Sequence, residues 1–237
     1  MNDNCASQLR ESGITALHGL FVSDWLRSFQ EAAARCFAAV EADNAVAGRH
    51  SFNRFSHSVP LIALTSFGCE DMLAPMYADG LEALLSNAIG GPWACNLEHS
   101  WVRKKFAPML APTVFAYVEQ GWHQDGALGV QFPREPGAAL SMTELLTCWI
   151  PLDACGLDSP GLEFVRGRQP ALLHFTELED AALRQRFAPQ DFWAPELELG
   201  DGLVFLNSVL HRTYTRPEML RNRLSIEYRI FPRSRPG

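Results

Sequence analysis

The first third of the chain sets apolar residues at helical spacing. Leu26, Phe29, Ala33, Phe37 and Val40 form one stripe, and Ser23-Asp24 stands where a helix cap belongs. A helix is therefore expected from Trp25 to about Ala45. A second is expected over Glu70–Ile89, stopped by Gly90-Gly91-Pro92. Such helices cover one face of a sheet. From Trp93 onward the pattern changes to short apolar segments broken by Gly, Pro and Asp. The expected strands are Asn96–Lys104, Thr113–Glu119, Leu145–Pro151, Leu162–Val165, Ala171–Phe175, Gly202–Leu206, Val209–Tyr214 and Leu224–Phe231, with one helical insertion at about Leu178 to Phe187. Short strands with frequent turns point to a sandwich or closed barrel rather than a parallel α/β sheet. The expected fold is mainly β (α+β): one domain over 1–237, with a helical layer at about 1–92 packed on one face of a jelly-roll core at about 93–231.

Composition narrows the partners more than the chemistry. The chain has 237 residues, 47% of them hydrophobic and 20% charged, which suffices for a core without metal or disulfide support. A net charge of -7 argues against nucleic-acid or anionic-membrane partners and leaves a small-molecule substrate open; it is silent on oligomeric state. The N-terminal MNDNCASQLRESG lacks the pattern of a secretory signal, and no run of 18 apolar residues occurs. Six scattered cysteines without a C-x-x-C pair read as reduced thiols, so a cytoplasmic location is expected.

Two segments carry chemistry. In Gly121-Trp122-His123-Gln124-Asp125-Gly126, residues two apart on an extended chain face the same way, so His123 and Asp125 project together. Gly200–Arg212 reads as a turn, a buried strand, a second turn, and a strand presenting His211. Together they supply a 2-His-1-carboxylate set, which leaves open coordination positions for a bidentate 2-oxo acid and dioxygen. Either segment alone is common without a metal.

Arg223, twelve residues after His211, adds a further requirement of that chemistry. The stretch 215–218 with Pro217 is expected to turn the chain so that 209–214 and 223–231 pair antiparallel. The Arg223 guanidinium could then clamp the far carboxylate of 2-oxoglutarate, with Ser225 on the same face donating another hydrogen bond. Arg221 is the rival clamp, and Arg223 is preferred because only it has a hydroxyl two residues on in a strand. Trp122, Phe115 and Trp149 are candidate apolar walls of a substrate pocket, as is Phe205. The stretch Gly48–Pro60, with His50, Arg54 and His57, is a candidate lid.

These motifs, His123-x-Asp125, then Gly200-Asp201-x-x-x-Phe205 ahead of His211, then Arg223-x-Ser225, resemble the phytanoyl-CoA dioxygenase family of Fe(II)/2-oxoglutarate oxygenases. The likeness runs from about Pro112 to Phe231 and takes in Cys148–Asp153 followed by Pro160–Val165. It implies a double-stranded β-helix, iron on His123, Asp125 and His211, and 2-oxoglutarate on Arg223. It also implies O2-dependent oxidation of a C–H bond in a small metabolite, with release of succinate and CO2. A basic or polar side chain on an earlier strand often assists the co-substrate; Arg103, Lys104 and Lys105 all qualify, and Arg103 is carried forward. Related halogenases replace the carboxylate ligand by Gly or Ala, so Asp125 implies a hydroxylase-type reaction. Val165-Arg166-Gly167-Arg168-Gln169 departs from the family's frequent Pro-Gly-Ser-His turn and leaves the substrate open. Two other classes share parts of the pattern: a non-catalytic or zinc-binding cupin-like protein, and a metal-dependent isomerase or hydrolase on the same triad. A carboxylate clamp has no use in the first, and the second requires activity without dioxygen.

Overall fold

The computed structural model describes residues 3–42, 57–64, 66–111, 120–131, 133–137 and 140–233. In chain order its helices and strands are α1 (Asp3–Ser12), β1 (Ile14–Leu17), α2 (Ser23–Ala42), β2 (Ser58–Pro60), α3 (Cys69–Leu73), α4 (Leu81–Ile89), β3 (Trp93–Lys105), β4 (Leu146–Pro151), β5 (Gly161–Val165), α5 (Asp180–Arg186), β6 (Phe192–Trp193), β7 (Gly202–Leu206), β8 (Leu210–Tyr214) and β9 (Arg223–Pro232). Among the described residues the strands form a six-stranded sheet of order β1-β7-β4-β9-β3-β2 and a three-stranded sheet of order β6-β5-β8. All of these pairings are antiparallel. Together they make a jelly roll, as the strand spacing predicts.

Strand alternation divides the large sheet chemically. Cys148 and Ile150 of β4, with Ile226, Tyr228 and Ile230 of β9, share one cluster with Leu26, Phe29 and Phe37 of α2. Complete burial of each such large apolar side chain stabilises the helix–sheet contact by about 1.5–3 kcal/mol. The alternate residues form the other face. On β4 these are Thr147 and Trp149; on β9 they are Arg223, Ser225, Glu227 and Arg229, every one buried. Four consecutive inward positions of a central strand are thus polar, an arrangement that stability alone disfavours.

Several expectations need correction. The second long helix is broken into α3, a 3-10 turn over Ala74–Tyr77, and α4. Pro75 lacks an amide proton, and Gly80 adopts a left-handed φ of 74° just ahead of α4. Ala171–Phe175 is not a strand. β8 and β9 do not pair: β8 lies beside β5, and β9 lies between β3 and β4, so the connection crosses from one sheet to the other. Thr113–Glu119 lies outside the described residues. Unforeseen were α1 and the edge strands β1 and β2 within the helical N-terminal third. No helix among the described residues is long and apolar enough to cross a membrane.

His57 closes α2 against the barrel. Its ring lies 5.3 Å from that of Phe37 and 4.8 Å from that of Phe106, and Nε2 is 2.8 Å from Glu41 Oε1. Burial pushes the imidazole down to about 4, although Glu41 pulls the other way. The fold therefore favours the neutral ring: its contribution is complete above the ordinary value of 6.5 and is lost as pH falls towards about 4. The urea midpoint of the wild type should exceed that of His57→Gln at pH 7.5, and the gap should shrink at pH 4.5. A gap independent of pH would contradict this account.

Candidate active site

His123 and His211 face each other across a short antiparallel bridge, His123 N–H donating to the His211 carbonyl at 2.9 Å and His211 N–H returning the bond at 3.1 Å. That pairing sets the imidazole centroids 4.1 Å apart. Each Nδ1 faces a carbonyl two residues earlier, Gly121 at 2.8 Å and Val209 at 3.1 Å. Assigning the proton to Nδ1 on that ground leaves each Nε2 unprotonated. That of His211 is turned to Asp125, and that of His123 accepts from the Gln120 side-chain amide at 2.8 Å, a bond that a metal ion would replace. Asp125 Oδ1 lies 3.8 Å from His123 Nε2 and 3.7 Å from His211 Nε2. One ligand atom from each of the three residues falls within 4.8 Å of the others.

Protonation states match a cation site. Burial, then the neighbouring His211, pushes His123 down to about 3, so the ring is neutral at ordinary pH. Burial opposes ionisation of Asp125, but Arg229 together with His211 outweighs it and holds the carboxyl below the usual range. A neutral imidazole and an ionised carboxylate are the forms in which His123 and Asp125 would ligate a metal.

The residue between the ligands shapes the loop. Gln124 has extended backbone, and its buried side chain points away from His123 and Asp125. Its carbonyl accepts from Leu173 N–H at 2.8 Å, while its amide donates to the carbonyls of Ala171 at 3.1 Å and Ser208 at 3.3 Å. The side chain supplies the pairing that the expected strand at 171–175 would have drawn from a neighbour. Gln124→Met should strand these groups and lower stability by roughly 1–3 kcal/mol in urea unfolding. A loss below about 0.5 kcal/mol would show that water replaces it.

A narrow cavity runs from His123 and His211 to Arg223, and Trp149, Phe205, Thr213 and Lys105 also line it. The Arg223 guanidinium stands 4.9 Å over the Trp149 ring, and its Nη1 donates to the carbonyls of Pro160 and Gly161 at 3.2 and 2.9 Å. Ser225 lies two positions on and is fully buried; among the described residues its hydroxyl has no hydrogen-bond partner. Lys105 is directly opposite Arg223 in the β3–β9 register and is also buried. Arg103 reaches the cavity wall, but Glu227 takes its Nε and Nη2, and Nη1 lies 3.3 Å from Ser58 Oγ.

The apolar-wall candidates separate. Trp149 lines the cavity, whereas Trp122 does not. With His123 facing in, the preceding side chain faces out, and the Trp122 indole donates to Asp180 at 3.0 Å beneath the Arg212 guanidinium. Phe115, His50 and Arg54 lie outside the described residues. The Gly200-Asp201-Gly202 turn is structural: Asp201 accepts from Gly19 N–H at 2.8 Å and Glu198 N–H at 3.1 Å, and a Cβ on Gly202 would meet Phe21 at 2.6 Å. His174 is held by Thr176 at 2.9 Å. Glu227 and Arg229, which sequence reasoning passed over, belong to the site; their alternation with Arg223 and Ser225 was the available signal.

Comparison with known proteins agrees with this fold. Solved structures of similar fold include the non-heme alpha ketoglutarate dependent epimerase SnoN from nogalamycin biosynthesis, at 17% identity and TM-score 0.65 over 97% of this chain and 82% of that one. The carbocyclase SnoK from the same biosynthesis matches at 16% identity and TM-score 0.66, over 97% and 84% of the two chains. EctD from S. alaskensis, solved with 2-oxoglutarate and 5-hydroxyectoine, matches at 16% identity and TM-score 0.69, over 98% and 76%. No curated protein matches the sequence. The family model for phytanoyl-CoA dioxygenase matches residues 9–216, a span that includes His123, Asp125 and His211 and ends before β9, and the chain belongs to that family.

Proposed function

We propose that this protein is an Fe(II)- and 2-oxoglutarate-dependent oxygenase acting on a C–H bond of a small metabolite. The observation that carries this reading is the continuity of one cavity from the His123–Asp125–His211 cluster to the Arg223 guanidinium stacked on Trp149. The residues fit both groups. The triad offers two imidazole nitrogens and one carboxylate oxygen, a donor set suited to non-haem iron. At the other end stand a buried guanidinium, Lys105 opposite it, and a Ser225 hydroxyl lacking a partner among the described residues, as a dicarboxylate requires. Lys105 lines the same cavity directly opposite Arg223 and is the second cation proposed for the co-substrate, while Arg103 is engaged by Glu227.

When bound, iron with 2-oxoglutarate and dioxygen supplies the oxidant that removes hydrogen from the substrate, releasing succinate and CO2. The chain's own residues position and exclude. Arg223 orients the co-substrate, Trp149 and Phe205 keep water from its path, and the two Nδ1–carbonyl bonds hold the imidazoles in register. The Asp125 carboxylate leaves no vacancy for halide, which favours hydroxylation over halogenation. Epimerisation and carbocyclisation, the reactions named for SnoN and SnoK, are further outcomes compatible with the same reading.

The test is anaerobic loading with Fe(II) and 2-oxoglutarate, followed by air. A visible Fe(II)–2-oxoglutarate charge-transfer band and succinate formation are expected. Absence of both, or turnover of a substrate without dioxygen, would overturn the proposal.

A further inference from the structure

The inward face of β9 carries more charge than a co-substrate clamp needs. Beyond Arg223 and Ser225 it presents Glu227 and Arg229, each less than a tenth exposed. Glu227 is held by two guanidinium groups: Arg103 donates to it through Nε and Nη2, the latter at 3.0 Å, and Arg229 Nη2 contacts its Oε1. Arg229 reaches in the other direction as well. Its Nη2 donates to Asp125 Oδ1 at 2.8 Å, and its Nη1 donates to Thr147 Oγ1 at 3.0 Å. The Thr147 hydroxyl donates in turn to Asp125 Oδ2 at 2.6 Å. Thr147 and Arg229 are cross-strand partners in the β4–β9 register, so the backbone fixes their meeting.

The two oxygens of Asp125 are thereby made unequal. Oδ1 faces both imidazole Nε2 atoms, whereas Oδ2 is turned to the Thr147 hydroxyl. A carboxylate that gave both oxygens to a metal would take one more coordination position. A bidentate 2-oxo acid and dioxygen need three positions left open. Packing alone does not call for this chain of charges, because buried ion pairs add little net stability over apolar residues of equal volume.

We propose that Arg229, oriented by Glu227 and Arg103, is a positioning residue: by donating to Thr147 Oγ1 it aims that hydroxyl at Asp125 Oδ2, which keeps Asp125 a one-oxygen ligand through Oδ1. The chain Arg103–Glu227–Arg229 begins at the wall of the co-substrate cavity and ends on the metal ligand, tying the two halves of the site together. This inference rests on the metal-binding part of the proposed function.

Co(II), whose visible spectrum reports coordination number and ligand geometry, is the probe, titrated into the full-length apoprotein with and without 2-oxoglutarate. Thr147→Val removes one hydroxyl at nearly constant volume, and it should weaken Co(II) binding by about 10- to 100-fold and alter the visible bands. Thr147→Ser keeps the hydroxyl and should restore both. Arg229→Met should produce the same change, and Arg229→Lys should recover part of it; if Arg229→Met fails to fold, the threonine pair decides. Variants that bind Co(II) and 2-oxoglutarate like wild type, with only a lower melting temperature, would overturn the inference and leave the proposed function standing. Failure of the wild type to bind Co(II) would overturn both.

Discussion

With Arg223 replaced by methionine, the KM for 2-oxoglutarate should rise by about 10²- to 10³-fold, with Fe(II) affinity little changed. Truncating one partner of a buried, hydrogen-bonded charge pair costs roughly 2–5 kcal/mol, and each 1.4 kcal/mol is tenfold. Arg223 is only 1% exposed, so water cannot replace the guanidinium cheaply. Its stack on Trp149 and its bonds to the Pro160 and Gly161 carbonyls leave it one orientation. Arg223→Lys keeps the charge but loses the planar fork, and it should fall between wild type and Arg223→Met. Initial rates of succinate formation against 2-oxoglutarate concentration, with separate Fe(II) titration, give the check. A KM within about threefold of wild type for Arg223→Met, far short of a single tenfold step, would remove Arg223 from the co-substrate end.

The other large effect is expected at Asp125. Asp125→Ala removes the anionic member of the triad and leaves Arg229 facing two imidazoles without it. Metal affinity should fall by more than the roughly 10- to 100-fold typical of outer hydrogen-bond partners, and turnover should drop below detection. Asp125→Glu should rescue only weakly, because the longer side chain cannot keep both the Thr147 and Arg229 bonds in register with the histidines. Equilibrium Fe(II) binding and succinate release report the two losses separately. Full turnover by Asp125→Ala would exclude the carboxylate from the site. Halide incorporation by this variant would instead support the link between Asp125 and oxygenation.

Much of the site was legible because strand geometry has a short period. Two-residue spacing predicts that His123 and Asp125 share a face, and the same rule puts Arg223 and Ser225 together. Carried two steps further, it would have reached Glu227 and Arg229, and carried one step back it would have turned Trp122 outward. Those misses were of application. The choice among Arg103, Lys104 and Lys105 was of another kind. Alternation puts Arg103 and Lys105 on the same side, but which cation meets a buried carboxylate depends on the partner strand's register, Arg103 against Ser225 and Lys105 against Arg223.

By itself the sequence determined most of the strands described in the jelly-roll half, though not the one expected at 171–175. It also singled out the His123, Asp125 and His211 that the structure groups together and the Arg223 that lines the same cavity. All of these follow from local stereochemistry: alternation along a strand, glycine and proline at turns, and the ligand chemistry of His and Asp. Only the tertiary structure decided that β8 and β9 lie in opposite sheets, that Gln124 completes the backbone of 171–173, and that Arg229 pairs with the Asp125 carboxylate. These are choices among partners separated by tens of residues, made by which buried polar groups can satisfy one another once the sheets close. No local pattern contains that information, because each group would accept several partners and the closed barrel offers it one.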